Sequence, residues 1–446
     1  MYSLKPEGGG IVDDPVTPDK KNLFSQFQDT EALYRNKSTG DIYFSLMIYK
    51  LCTQQWLVDF SVKLLELSEK YGLSAPLYSI VRKTFYKQFC AGEEYKETEQ
   101  IVNKYKKEGI SVILDYCNED ATTVELWNTN TKVISGLIET ASQLGAKYIP
   151  LKVTSLTSPE LLERMSDLLV EKQSNPNLDL SSWESFKATS SSSSKVKQLS
   201  SEELNELKEL MTRLKDICSV ASKNKISILM DAEQTFRQPA IDYLAIELSK
   251  TFNRTFPLLY NTYQLYLKET PSKLYKHIEL SKKDKFYIGA KIVRGAYIVT
   301  ESQRAKELGY ENPIFDSKMA TDDAYNQGVS LLIERIAKQE KIGVVIASHN
   351  LESVLWACQK IRQNKLPTDH PNIDFAQLKG MSDYLTYGLA QMNFNVNKLL
   401  PWGPVQSVIP YLTRRAIENR DVLGGTNTER LLLWKELKRR NFGFPL

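Results

Sequence analysis

The sequence predicts an α/β fold, a closed (βα)8 barrel with an N-terminal helical segment before it and a C-terminal helix after it. Three observations predict this. From Ile110 onward, short apolar, β-branched runs alternate with longer amphipathic stretches, and eight such runs occur. The runs are nearly continuous in apolar residues, the pattern of parallel strands covered on both faces. No Gly-rich turn follows the first run, which favours a closed barrel over a doubly wound sheet, the alternative topology.

Residues 1–40 are rich in Gly, Pro, Asp and Lys and read as a flexible arm. Residues 41–108 read as the helical segment. Asp41 to Tyr71 carries apolar residues at three- and four-residue spacing, with Gly72 placed to stop the run. PLYSIVRKTFYKQFC, ending near Gly92, and TEQIVNKYKKEG, ending at Gly109, continue it.

The barrel is expected over 109–425. Its strands are expected in SVILDY (111–116), YIPLKVTSL (148–156), ISILMDAE (226–233), PLLYNTYQ (257–264), FYIGAKIVRGAY (286–297), GVVIASHN (343–350), IDFAQLKG (373–380) and VNKLLPWG (396–403). Among the helices between them, one opens with Pro159 after Ser158, and another has Ser200 and Glu203 spaced for a capping box. The Ser-rich stretch 172–200 interrupts the rhythm and reads as a flexible insertion. Residues 426–446 read as the C-terminal helix.

Composition excludes several classes. A net charge of +4 over 446 residues gives no electrostatic case for nucleic acid. Five scattered cysteines are no disulfide framework and fit a reducing compartment. Three histidines without HxxxH or CxxC spacing argue against a zinc site, and no metal is expected. No apolar run approaches ~18 residues, so no membrane-spanning helix is expected. The first residues are neither a signal peptide nor an Arg-rich amphipathic presequence, so a targeting segment is either absent or not included.

In such a barrel the chemistry sits at the carboxyl ends of the strands. Those ends offer Asp115, Lys152 with Ser155, Asp231 with Glu233, Asn261 with Gln264, Arg294 with Tyr297, His349 with Asn350, and Gln377 with Lys379. Lys152 stands inside the apolar run YIPLKV, where an ammonium is costly unless it meets an anion. Asp231 is its expected partner across the mouth. Asp115 as a helix cap and His349 as a core histidine are the plainer readings of those residues. Gly295, between Arg294 and Tyr297, allows close approach of a ligand to the backbone or marks a strand-end bulge.

After the last strand comes a helix, VQSVIPYLTRRAIEN (405–419). Tyr411 and Arg415 are four apart, as are Arg414 and Glu418, so each pair meets on the helix surface. Adjacent arginines suit a carboxylate or phosphate held bidentately. The plainer reading is a solvated basic turn. No GxGxxG follows a strand and no Walker A sequence exists, so no nucleotide cofactor is readable from a motif.

The set YLTRRAIEN, KIVRGAYI, LMDAEQT, ASHN and FAQLKGM resembles the proline dehydrogenase family, from about Thr84 to Arg440. FYKQFCAGE and LLWKELKRR resemble its animal branch, which includes hydroxyproline dehydrogenase. The resemblance implies a distorted (βα)8 barrel of the TIM type with FAD at its mouth. It implies oxidation of L-proline to Δ1-pyrroline-5-carboxylate by hydride transfer to flavin N5, the first step of proline catabolism, with electrons passed to a quinone.

Residue by residue, it makes Arg414, Arg415 and Lys152 the clamp on the substrate carboxylate. Asp231 orients Lys152, Tyr297 and Leu378 wall the ring, and Glu119 pairs with Arg414 as a gate. Lys291 stands near N5 where bacterial relatives have an arginine, and Asn261 where they have a glutamine. Val293, Arg294, Gly295 and His349 line the isoalloxazine and pyrophosphate. Leu399, two residues before Pro401, stands where the family usually has a tyrosine, which brings trans-4-hydroxy-L-proline forward as a second substrate.

Two other classes stand beside this one. A non-catalytic barrel could bind an amino acid through the same cations, and a lyase could use Lys152 as a Schiff-base amine. The resemblance implies a mitochondrial location, on the matrix side of the inner membrane. The basic, apolar-striped C-terminal helix could touch that membrane or pack on the barrel.

Overall fold

Eight parallel strands close into a barrel in sequence order. They are β1 (Ser111–Tyr116), β2 (Tyr148–Leu151), β3 (Ser227–Met230), β4 (Leu259–Gln264), β5 (Ile288–Val293), β6 (Ile342–Ala347), β7 (Ile373–Leu378) and β8 (Val396–Trp402). The computed structural model describes residues 18–54, 74–116, 122–174, 198–421 and 425–442, with Phe186 and a few positions between 64 and 71. β1 and β8 complete the ring, with Ser111 opposite Asn397 and Tyr116 opposite Trp402.

Each apolar run holds one strand, with β6 starting one residue before its run. The runs overreach mainly at their carboxyl ends, where the chain leaves the ladder to build the mouth. In the second run, pairing stops at Leu151, Lys152 stays extended, and Val153–Ser155 turns as a 3-10 helix. The helices start as their signals indicate. Pro159 opens Pro159–Ser174, and Ser200 with Glu203 forms a reciprocal capping box before Ser201–Asn224.

The period of two along each strand decides which residues enter the barrel. Ile113, Tyr148, Leu229, Tyr260, Val345 and Ala376 make one buried cluster, with Ala347 and Leu399 against it. The residues between them join the larger core under the helices. Stepping two residues toward the carboxyl end from that inner layer reaches Asp115, Asp231, His349 and Leu378. Stepping four from Tyr148 reaches Lys152.

One expectation about the periphery is corrected. Residues 18–40 are not an arm: Pro18–Gln26 and Thr30–Tyr34 are helices, and a third, Thr39–Cys52, begins before the expected boundary. Leu23, Phe27, Leu33 and Tyr34 are buried in the main core, which overcomes the polar composition around them. Most of the Ser-rich stretch 172–200 lies outside the described residues. Phe186 is buried, with its ring edge-on to Tyr243 at 5.4 Å between centroids.

The C-terminal helix Gly425–Phe442 packs on the molecule through buried Leu432, Leu433 and Leu437. It holds the N-terminal helices polar group by polar group. Arg440 donates to the carbonyls of Tyr34 and Lys37, and Glu429 accepts from the Tyr34 hydroxyl at 2.9 Å and from the Tyr384 amide. Beside this pair, Asp383 lies 2.8 Å from both Lys37 and Lys398, and Lys398 is fully buried. Lys398 also donates to Met381 O and Thr386 Oγ1. Among the described residues no helix is long and apolar enough to cross a membrane.

Candidate active site

A cavity at the carboxyl end of the barrel is lined by Asp115, Lys152, Ser155, Asp231, Tyr411 and Arg414, among others. These residues come from β1, the turn after β2, the loop after β3 and the helix Val405–Asp421. The structure therefore brings Lys152 and the arginine helix to one opening, although 262 positions separate Lys152 from Arg414 (414 − 152). Arg414 is exposed toward solvent, and Arg415 is half-buried with its guanidinium 4.9 Å from the Tyr411 ring centroid. The i,i+4 spacing thus becomes a cation–π contact. The side chain of Glu418 lies outside the described residues, as does Glu119, the expected gate.

Charge in the cavity is mutually arranged. Burial raises the Asp115 carboxyl above its usual range, and Lys152 is the foremost cation opposing that rise; Asp231 adds to it. Burial likewise pushes the Tyr297 phenol up to about 12, with Glu233 and Asp231 adding to the shift and Arg414 opposing it. Tyr297 therefore sits within the field of the same groups as a neutral hydroxyl. It donates to Ala232 O at 3.4 Å, which ties the start of helix Ile298–Leu308 to the loop after β3.

The partner expected for Asp231 is corrected. Its carboxylate takes the Lys291 ammonium at 2.8 Å rather than that of Lys152. Lys291 points inward from β5, two strands away, and both side chains are largely enclosed. Lys152 stays exposed in the cavity.

Asn261 is also corrected. It alternates with Tyr260, so its side chain leaves the barrel and donates to Asp242 Oδ1 at 2.8 Å in the helix layer. Gln264 has the inward parity of Tyr260 and donates to Glu233 O at 2.8 Å. The two-residue period of PLLYNTYQ was the signal that distinguishes them.

Arg294 is engaged on the helix side. Its guanidinium meets Asp322 at 2.7 Å, bonds Ser348 and Ser353, and lies over the Tyr325 ring. Gly295 has φ +151, and a Cβ there would lie 1.8 Å from the Tyr266 ring. The glycine is therefore needed for packing against Tyr266, and that face of the backbone is covered. Val293 is half-buried with inward parity, and Leu378 and Leu399 are half-buried neighbours in the β7–β8 register.

His349 reaches the mouth after β6. Burial holds its pKa down to about 3, with the Lys398 and Arg415 cations adding to the effect, so the ring is neutral. Its Nε2 accepts from the Leu378 amide at 3.5 Å, which places the ring proton on Nδ1. Nδ1 is buried with no hydrogen-bond partner. A buried donor of this kind fits the polar edge of a planar cofactor such as a flavin. Among the described residues no group of three or more His, Cys, Asp or Glu is placed to hold a metal ion.

Comparison with known proteins gives the family and the fold. The family model for proline dehydrogenase matches residues 98–428. The chain is 39% identical to a protein of Dictyostelium discoideum named proline dehydrogenase 1, mitochondrial, over 95% of this chain and 77% of that one. It is 32% identical to a hydroxyproline dehydrogenase of Xenopus laevis, over 92% and 89% of the two chains. Its fold is similar to crystal structures of proline utilization A (PutA). With the Bdellovibrio bacteriovorus protein the TM-score is 0.67 at 16% identity, covering 92% of this chain and 42% of that one. This chain thus spans about two-fifths of that PutA chain. By sequence it belongs to the proline dehydrogenase family and is an oxidoreductase.

Proposed function

We propose that this protein oxidises L-proline to Δ1-pyrroline-5-carboxylate with FAD bound at the barrel mouth, and passes the electrons to a quinone. The observation that carries the reading is the shared cavity of Lys152 and Arg414, backed by the Asp231–Lys291 pair. Arg414, Arg415 and Lys152 hold the substrate carboxylate; fixed cations there leave the pyrrolidine ring one orientation. Tyr297, Leu378 and Leu399 wall the ring and exclude water. Lys291 and His349 hold the flavin, and Asp231 fixes the Lys291 ammonium. FAD, when bound, supplies the two-electron acceptor for the hydride from the ring carbon beside nitrogen.

Leu399 favours a second reading, trans-4-hydroxy-L-proline as substrate. A leucine in this wall leaves space that a larger ring would fill, and a relative in Xenopus laevis is named for that activity. Relatives named mitochondrial support a mitochondrial location, which we place on the matrix side of the inner membrane.

The test is anaerobic flavin reduction by L-proline and trans-4-hydroxy-L-proline side by side. Rapid bleaching of the flavin by proline is the expected result. Faster bleaching by hydroxyproline selects the second reading. A colourless protein that FAD does not reconstitute would make the barrel a binder of amino acids instead.

A further inference from the structure

The helix that carries Arg414 and Arg415 is held in place by a part of the chain outside the barrel. Helix Val405–Asp421 contains Pro410, which lacks the amide for a helical hydrogen bond and weakens the coupling between the first turn and the arginines. The apolar face of the helix supplies the missing stiffness. Val405, Val408, Tyr411 and Leu412 are buried together with Tyr78, Tyr86 and Phe89 of the N-terminal segment.

The anchor at the first turn is polar and specific. Residues 82–86 form a single π-helical turn, which delivers the Tyr86 hydroxyl to Gly403 O at 2.8 Å. The chain then runs alongside the end of β8, with Ala91 N donating to Pro401 O and Gly403 N donating to Gly92 O. Glu93 follows directly. One of its carboxylate oxygens accepts from Val405 N, the first amide of the arginine helix, and the other is paired with Arg82. Arg82, Tyr86 and Glu93 therefore form one brace across the start of that helix. None of the three lines the cavity.

We propose that Glu93 and Tyr86 are positioning residues for substrate binding: they fix the first turn of helix Val405–Asp421 and thereby place Arg414 and Arg415 over the substrate carboxylate. The inference rests on the reading that these arginines grip a carboxylate. A displaced guanidinium weakens recognition of the carboxylate group and leaves the flavin and the ring wall in place. The brace thus acts on substrate affinity more than on the turnover of bound substrate.

The test uses the full-length, FAD-loaded enzyme and compares Glu93→Gln, Tyr86→Phe and Arg414→Met. The readouts are KM and kcat for L-proline, the inhibition constant of tetrahydrofuran-2-carboxylate, and the flavin spectrum. Glu93→Gln is expected to raise KM and the inhibition constant together by about tenfold, with kcat within about twofold and the spectrum unchanged. Tyr86→Phe, which removes one hydroxyl and retains the ring, is expected to do the same by about threefold. If Arg414→Met weakens both ligands while the Glu93 and Tyr86 variants bind as the parent does, the brace is overturned and the carboxylate reading stands. A fall in kcat with unchanged KM also overturns it. If Arg414→Met leaves both constants unchanged, the carboxylate reading fails, and the brace fails with it.

Discussion

Lys291 Nζ lies 2.8 Å from Asp231 Oδ1, an ion pair joining the loop after β3 to strand β5 at the mouth of the barrel. The pair is largely enclosed, so each charge depends on the other for its solvation. Asp231 was the expected partner of Lys152, and the two choices predict different couplings. A double-mutant cycle of Asp231→Asn with Lys291→Met should show about 1–3 kcal/mol of coupling in kcat/KM. The cycle with Lys152→Met should be additive within about 0.5 kcal/mol. Steady-state kinetics on the six proteins decides it; strong coupling to Lys152 would reverse the assignment.

Leu399 faces the inner layer, opposite Ile113 in β1 and Leu378 in β7. Its side chain is half-buried at the floor of the proposed ring site. Filling that space with an aromatic ring should discriminate against a hydroxylated substrate. We expect Leu399→Tyr to raise the ratio of kcat/KM for L-proline over trans-4-hydroxy-L-proline by about tenfold, the scale of one pocket contact. An unchanged ratio would remove Leu399 from the specificity argument.

Glu429 is buried between Tyr34, Tyr384 and Asp383, and burial pushes its carboxyl up to about 7, with the Asp383 charge adding and Lys37 opposing. Its folded pKa is thus raised above the unfolded value of about 4.3, so the folded state holds the proton more tightly. That contribution to stability is fully present below about pH 4.3 and is lost as pH rises through 7. Asp383 has the opposite sign. Lys37 and Lys398 overcome its burial and hold its carboxyl well below the usual range, so its contribution is present above about pH 4 and is lost only in acid. Between pH 5 and 8 Glu429 is the carboxyl of this cluster that titrates, while His349, held neutral near Asp383 and Lys398, contributes the opposite slope below about pH 6.5. Glu429→Gln, which keeps an acceptor for Tyr34, should flatten the fall in urea midpoint over that range. A slope identical to the parent's would show that Glu429 does not titrate there.

Much of the fold was legible because its signals are local. A parallel strand buried on both faces must be apolar along its length, so eight such runs announce eight strands wherever the chain places them. Capping by Ser200 and Glu203 and the start at Pro159 are local for the same reason. The apolar setting of Lys152 singled it out, and the structure places it in the lining of the cavity. The inward parity of Gln264 and the outward parity of Asn261 are also present in the sequence, as a period of two. The N-terminal segment was harder to read. Its buried Leu23, Phe27, Leu33 and Tyr34 are sparse among polar residues, and only the surface they pack on makes them core.

The sequence by itself determined the barrel, the family and the presence of a lysine and paired arginines suited to a carboxylate. The tertiary structure alone decided who meets whom: Asp231 with Lys291, Arg294 with Asp322, Glu93 with the first amide of the arginine helix, and Lys398 with Asp383. The reason is the range of the forces. Backbone hydrogen bonding and burial of an apolar run are settled within a few residues of chain, whereas an ion pair is settled by which side chains closure of the barrel brings within a few ångströms.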